Sequence, residues 1–255
     1  LVLNNFSTIQ FGEPELQNAL SHNLSLVYSS FNLFNYTNVF ARLAYSKNID
    51  QIRNITSFEN VISTSTFFNS NFADESANAF GRIQRTFGKL IATVNLSFNY
   101  SKINQLIDSR RSVNTGFTRS YTPSLRTNFK KAPNVSLKYK YTVSTNNQGL
   151  NETTFYTSAP SLDFDAYIWK SITLKTDYTY TNQSLRGGNS DSFQTWNASI
   201  SYRKNRDSKW EFEVVATNLL DIDSKVSNTA TNLFVSESRI FIQPRFISFR
   251  LRYEL

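Results

Sequence analysis

Apolar and polar residues alternate one by one along most of this chain, and the alternation runs into its last residues. Ile247, Phe249, Leu251, Tyr253 and Leu255 fall on one parity, and Ser248, Arg250, Arg252 and Glu254 on the other. Successive side chains of a β-strand point to opposite faces, so a segment of this kind is a strand with one oily and one polar side. Leu90, Ala92, Val94, Leu96, Phe98 and Tyr100 repeat the pattern against Thr93, Asn95, Ser97 and Asn99. Val135, Leu137, Tyr139, Tyr141 and Val143 alternate with Ser136, Lys138, Lys140 and Thr142. Ile172, Leu174, Tyr178 and Tyr180 oppose Lys175 and Asp177, and Trp196, Ala198, Ile200 and Tyr202 oppose Asn197 and Ser199. No stretch sustains a helical period. The chain is therefore expected to be all-β.

Alternating runs separated by polar turns predict eleven strands, near 21–33, 37–55, 61–84, 89–107, 115–130, 134–146, 151–169, 171–184, 193–205, 209–226 and 233–255. The connections near Phe34, Gly88, Pro133, Lys170 and Arg206 read as tight. Those near 108–114, 147–150, 185–192 and 227–232 read as looser. Tight turns at one end and longer loops at the other describe an antiparallel transmembrane β-barrel with a periplasmic and an extracellular end. Many of the strands exceed the roughly 9–11 residues that cross a bilayer, and the surplus would project on the loop side.

Cost decides which face would meet lipid. A Lys or Arg at the bilayer midplane on the lipid side costs about 2–4 kcal/mol. The expected lipid-facing set is Leu96, Phe98, Leu137, Tyr139, Ile172, Leu174, Ile200, Ile247, Phe249, Leu251, Tyr253 and Leu255. The expected lumen-facing set is Asn95, Ser97, Lys138, Lys140, Lys175, Asp177, Arg250 and Arg252. Trp169 and Trp210, beside expected periplasmic turns, and tyrosines near strand ends suit an aromatic girdle. A soluble β-sandwich that buries the same aromatics is the competing architecture.

Composition sharpens this picture. Only 40% of residues are hydrophobic, yet 15% are aromatic, with 22 Phe and 13 Tyr. That suits an oily outside and a wet inside. No run approaches the roughly 20 apolar residues of a spanning helix. The net charge of +8 does not predict nucleic acid as a partner, because lysines and arginines are scattered over polar faces and turns. Cysteine and methionine are absent. No basic segment followed by an apolar core opens the chain, so a mature or truncated piece of a longer precursor is expected. Eleven is an odd count, whereas single-chain bacterial barrels carry even numbers.

Three segments carry a family likeness. Phe11-Gly12-Glu13-Pro14-Glu15-Leu16, running on to Ser21-His22-Asn23-Leu24, resembles a loop-to-strand junction of TonB-dependent receptors. Glu13 replaces the usual Asn there, and Asn18 and Ala19 a common Pro-Glu. Phe212-Glu213-Val214-Val215-Ala216-Thr217-Asn218-Leu219-Leu220-Asp221 is similar to their penultimate strand. Phe249 to Leu255 is similar to the terminal signal read by the barrel-assembly machinery, with Leu255 in place of the usual Phe. The Asn/Ser/Tyr-rich texture resembles the Bacteroidota-type members. The resemblance implies residues 1–20 as an extracellular loop and 21–255 as the C-terminal half of a barrel of about 22 strands. It also implies the bacterial outer membrane as location, an upstream plug engaging TonB, nutrient uptake, and an accessory surface lipoprotein as a possible partner. A self-contained passive pore of 10 or 12 strands, or a structural barrel in an envelope complex, is the runner-up.

Little suggests an enzyme, a cofactor or a metal centre. His22 is the single histidine, with no cysteine to join it at a metal, and a local hydrogen-bonding role is expected of it. Gly187-Gly188-Asn189-Ser190-Asp191 lacks the Lys of a phosphate loop and the ligand spacing of a calcium loop, and reads as a surface turn. Arg110 and Arg111, with Arg119, Arg126, Lys138 and Lys140, read as a basic group in the lumen or at its mouth. Asp163, Asp165 and Asp177 are available to balance it.

Overall fold

The computed structural model describes residues 2–5, 8–59, 62–107, 110–130, 133–149, 151–169, 171–205, 207–230 and 235–254. Its strands are β1 (Val2–Asn5), β2 (Thr8–Phe11), β3 (Leu20–Asn32), β4 (Thr37–Ile49), β5 (Gln51–Glu59), β6 (Ile62–Ser70), β7 (Asp74–Phe87), β8 (Leu90–Ile107) and β9 (Arg110–Thr127). They continue as β10 (Asn134–Gln148), β11 (Asn151–Ile168), β12 (Ile172–Leu185), β13 (Ser190–Tyr202), β14 (Trp210–Thr217), β15 (Ser224–Ala230), β16 (Val235–Phe241) and β17 (Phe246–Tyr253). No helix occurs among the described residues.

One antiparallel sheet of eleven strands dominates, in the order β17-β14-β13-β12-β11-β10-β9-β8-β7-β4-β3. Each of the eleven alternating runs supplies one of its strands, and every strand pairs with its neighbour in the chain order of those runs. The sheet is not closed: β3 and β17 each have a single partner in it and form its two edges. Every described residue of β3 is exposed, as expected of an edge with nothing across it.

Four expected long strands turn out to be broken, at two joints. The run near 37–55 breaks at Asp50, which adopts φ 54°, into β4 and β5. The run near 61–84 breaks correspondingly into β6 and β7. The run near 209–226 breaks at Asn218 and Asp221, with φ 51° and 56°, into β14 and β15, and its partner divides into β16 and β17. Both joints leave a side ribbon beyond the main sheet, β5–β6 and β15–β16. Residues expected to be a loop, within 1–20, contribute β1 and β2, and β2 adds in parallel to β6.

The expected contrast between tight turns and looser loops also needs correction. Ile107 pairs with Arg110, and Gln148 with Asn151, so these links are as short as those at the other end. Backbone pairing does not require apolar side chains, and Asn, Ser and Thr carry the ladders past the end of the oily run. Turns follow local chemistry. Gly88, at φ 61°, occupies the first of two positions between Phe87 and Leu90, where a glycine-first hairpin turn requires a positive φ. Lys170 and Arg206 lie outside the described residues.

Registers show that the strands are staggered. One row of paired residues runs Trp196, Tyr178, Leu162, Leu137, Leu125, Ala92, Arg85, Thr37 and Asn32. It starts well inside β13 and ends on the turn that closes β3. A tilt of strands against rows of this sense is what a curled or barrel-forming sheet needs.

Candidate functional site

Paired residues in a ladder share a face, so register decides whether eleven separate alternations add up. They do. Leu24, Leu26 and Tyr28 of β3 share a face with Val39, Ala41, Leu43 and Tyr45 of β4, and these with Ile83, Gly81, Ala79 and Ala77 of β7. The same face continues through Val94, Leu96, Phe98 and Tyr100, then Pro123, Tyr121 and Phe117. It passes Leu137, Tyr139, Tyr141 and Val143, then Leu162, Pro160 and Tyr156. It finishes with Leu174 and Tyr178, Ile200 and Trp196, Val214 and Phe212, and finally Phe249 and Leu251. No strand is out of phase.

Of the expected lipid-facing residues, all that are described lie on this one face: Leu96, Phe98, Leu137, Tyr139, Ile172, Leu174, Ile200, Ile247, Phe249, Leu251 and Tyr253. Leu255 lies outside the described residues. Asn95, Ser97, Lys138, Lys140, Lys175, Asp177, Arg250 and Arg252 all lie on the opposite face.

Most of the apolar face is open among the described residues, Val143 and Ala166 being its buried apolar side chains. Leu137 is 52% exposed, Phe249 66% and Leu251 53%. Ile91, Val143 and Ala166 are the only buried apolar side chains among the described residues. Size makes this decisive. Leu90 to Tyr100 spans ten residues of rise, about 25 Å in height at a strand tilt near 40°. Eleven strands at about 4.8 Å spacing make the band roughly 50 Å wide, hence on the order of 1,300 Å². The largest apolar patch of an ordinary soluble monomer is about 300–600 Å². In β13 and β14 the usual order of burial is reversed. Trp196, Ile200, Tyr202, Trp210, Phe212 and Val214 are exposed, while Asn197, Ser199, Ser201, Glu211 and Glu213 are half-buried. Polar side chains crowd one another there, as on the inside of a sheet curled toward its polar face.

The polar face is a hydrogen-bonded, charged wall. Glu213, whose side chain is 15% exposed, meets Arg252 at 3.1 Å and Arg250 at 3.6 Å, and Glu211 meets Arg252 at 3.7 Å. Asp165 stands opposite Lys175 and Asp163 opposite Asp177. The Asn197 amide donates to Asp177 at 2.8 Å, and that of Asn134 to Asp165 at 3.4 Å. Among the described residues no His, Cys, Asp and Glu group is placed to hold a metal ion. His22 is exposed on β3 opposite Lys47.

The structure divides the basic group expected at the lumen. Arg126, Lys138 and Lys140 keep to the polar face. Arg119 lies on the apolar face opposite Phe98 and Val143, with its guanidinium 5.7 Å from the Phe117 ring. Arg111 shares that parity: it donates to Asn104 at 2.7 and 3.0 Å and stacks 4.4 Å from the Phe72 ring. Alternation in β9 is weak, so sequence gave no parity to these two.

Local chemistry explains the Asn-Leu-Leu-Asp segment. Asn218, 6% exposed, donates its amide to the carbonyls of Ile222 at 2.9 Å and Gln243 at 3.0 Å, and accepts from the Ile222 N–H at 3.0 Å. Its own N–H donates to Asn197 at 3.0 Å. Asp221 accepts from the Arg245 N–H at 2.9 Å. These bonds replace the ladder where β14 gives way to β15, so the segment is a joint and not continuous strand. At the other joint, Asn69 donates to the carbonyls of Gln17 at 2.8 Å and Asp50 at 2.9 Å.

Comparison with protein-family models, curated proteins and solved structures finds no match to this chain.

Proposed function

We propose that this chain is wall and loops of an outer-membrane β-barrel, the C-terminal half of a transporter resembling TonB-dependent receptors. The reading rests on one observation: a mostly open apolar face in phase across eleven strands, about as tall as the oily band of an outer-membrane barrel. Lipid is the solvent that suits such a face, and water suits the charged face behind it. The open edges β3 and β17 support completion by further strands, since unpaired backbone in hydrocarbon costs several kcal/mol per group. In this reading the polar wall lines a wet interior, the side ribbons stand above the membrane, and solute passes under control of an upstream plug. There is no catalysis.

The test is expression of the chain alone, followed by refolding in detergent and in lipid vesicles. Insertion without a heat-modifiable, closed species, and closure only when upstream strands are supplied, is expected. A closed, conducting barrel from this chain by itself would overturn the half-barrel reading in favour of the pore. Full solubility without detergent would overturn both.

A further inference from the structure

The five turns that close β3–β4, β7–β8, β9–β10, β11–β12 and β13–β14 lie at one end of the sheet, and their chemistry is one-sided. Lys89, Lys130, Lys204 and Lys209 are exposed there, and Asp207 is the one acid among the described turn residues. Large aromatics stand bare among them: Phe34 is 98% exposed and Trp169 84%. The opposite end is mixed, with Lys47 facing Glu75 and Arg186 paired to Glu152 at 3.2 Å.

At this basic end the apolar face carries a built notch. Tyr202, Lys204, Ser208, Trp210 and Phe212 line a cavity of about 390 Å³. Tyr202, Trp210 and Phe212 have the parity of the apolar face, so the notch opens toward the same medium as Ile200 and Val214, with Lys204 and Ser208 contributed by the turn. Trp210 packs on Tyr253 with ring centroids 4.7 Å apart, and the Lys209 ammonium lies 5.7 Å from the Tyr253 ring. Arg203 is taken by Glu254; among the described residues Lys204 lines the notch and Lys209 lies beside it, over the Tyr253 ring.

We infer that this notch seats an anionic phospholipid. Its phosphate would lie against Lys204 and Lys209, and the first carbons of an acyl chain between Trp210, Tyr202 and Phe212. The inference deepens the membrane reading and rests on it. Charge complementarity selects the occupant, because a neutral zwitterionic lipid gains nothing from an end this one-sided. Each lysine near an anionic membrane surface contributes about a fivefold preference, so both together give roughly thirtyfold.

The test uses the full chain carrying Trp169→Phe and Trp196→Phe, which leaves Trp210 as its sole tryptophan. It is inserted into vesicles of phosphatidylcholine mixed with phosphatidylglycerol, with brominated chains on one lipid or the other. Stronger quenching of Trp210 by brominated phosphatidylglycerol, weakened by salt and lost in Lys204→Gln/Lys209→Gln, is expected. Equal quenching by the two lipids would overturn the anionic seat while leaving insertion intact. Quenching by neither would overturn the membrane reading itself.

Discussion

Leu96 offers the sharpest test of which medium meets the apolar face. It lies on β8 six residues above Leu90 and four below Tyr100, with Gly81 and Tyr121 beside it on the neighbouring strands. At about 3.3 Å per residue and a tilt near 40°, it sits about 15 Å above the lower edge of the band and about 10 Å below the upper. That is close to the midplane, where Leu96→Arg is expected to cost about 2–4 kcal/mol, or roughly 30- to 900-fold in the folding equilibrium. Asn95→Arg puts the same side chain one residue away on the opposite face, where it should change stability by only about 0.5 kcal/mol. Reversible urea unfolding in lipid vesicles, with the upstream strands supplied, measures both. Because the two variants share strand, depth and charge, only the medium on each side separates them. Equal costs would refute the assignment of faces, and a larger cost for Asn95→Arg would reverse it.

Other expectations concern the scaffold. Asn218→Ala removes three side-chain bonds from a buried joint and should destabilise by about 2–4 kcal/mol, since the freed carbonyls stay unpaired. Limited proteolysis should then cut between 224 and 241 before it cuts the main sheet. Gly88→Ala forces a side chain to φ 61° and should cost about 1 kcal/mol, read as a shift of the urea midpoint without a change of slope. Glu213→Gln breaks its contacts with Arg250 and Arg252 and should cost about 1 kcal/mol at low salt. Repeating the titration in high salt should shrink that loss if the wall faces water, and an unchanged loss would argue for a dry surround.

Much of the sheet is legible in the sequence. Period-two alternation depends only on the pleat, so strands with strong contrast, such as Leu90–Tyr100 and Phe246–Tyr253, announce themselves and their two faces. Where contrast fades the reading fails in a consistent direction. Arg110 to Asn114 carry no clear period, so β9 starts earlier than the pattern predicts, and the weak alternation around Arg119 leaves its face undecided until the register is known. Asn218 and Asp50 carry no local signal of a break, because a joint is made by side-chain bonds to backbone far away in sequence, as from Asn218 to Gln243.

Sequence by itself determined that the chain is β throughout, how many long strands it makes, and which residues within a strand share a face. Only the tertiary structure decided whether those faces join. Parity inside a strand is local, set by one residue's geometry, whereas parity across strands depends on register, which turns and ladders fix together. Tyr139 and Pro160 are neighbours on one surface because those pairings place them so, and no property of either residue alone says it. The open edges and the division of basic residues between two faces belong to the same level, where distant segments meet.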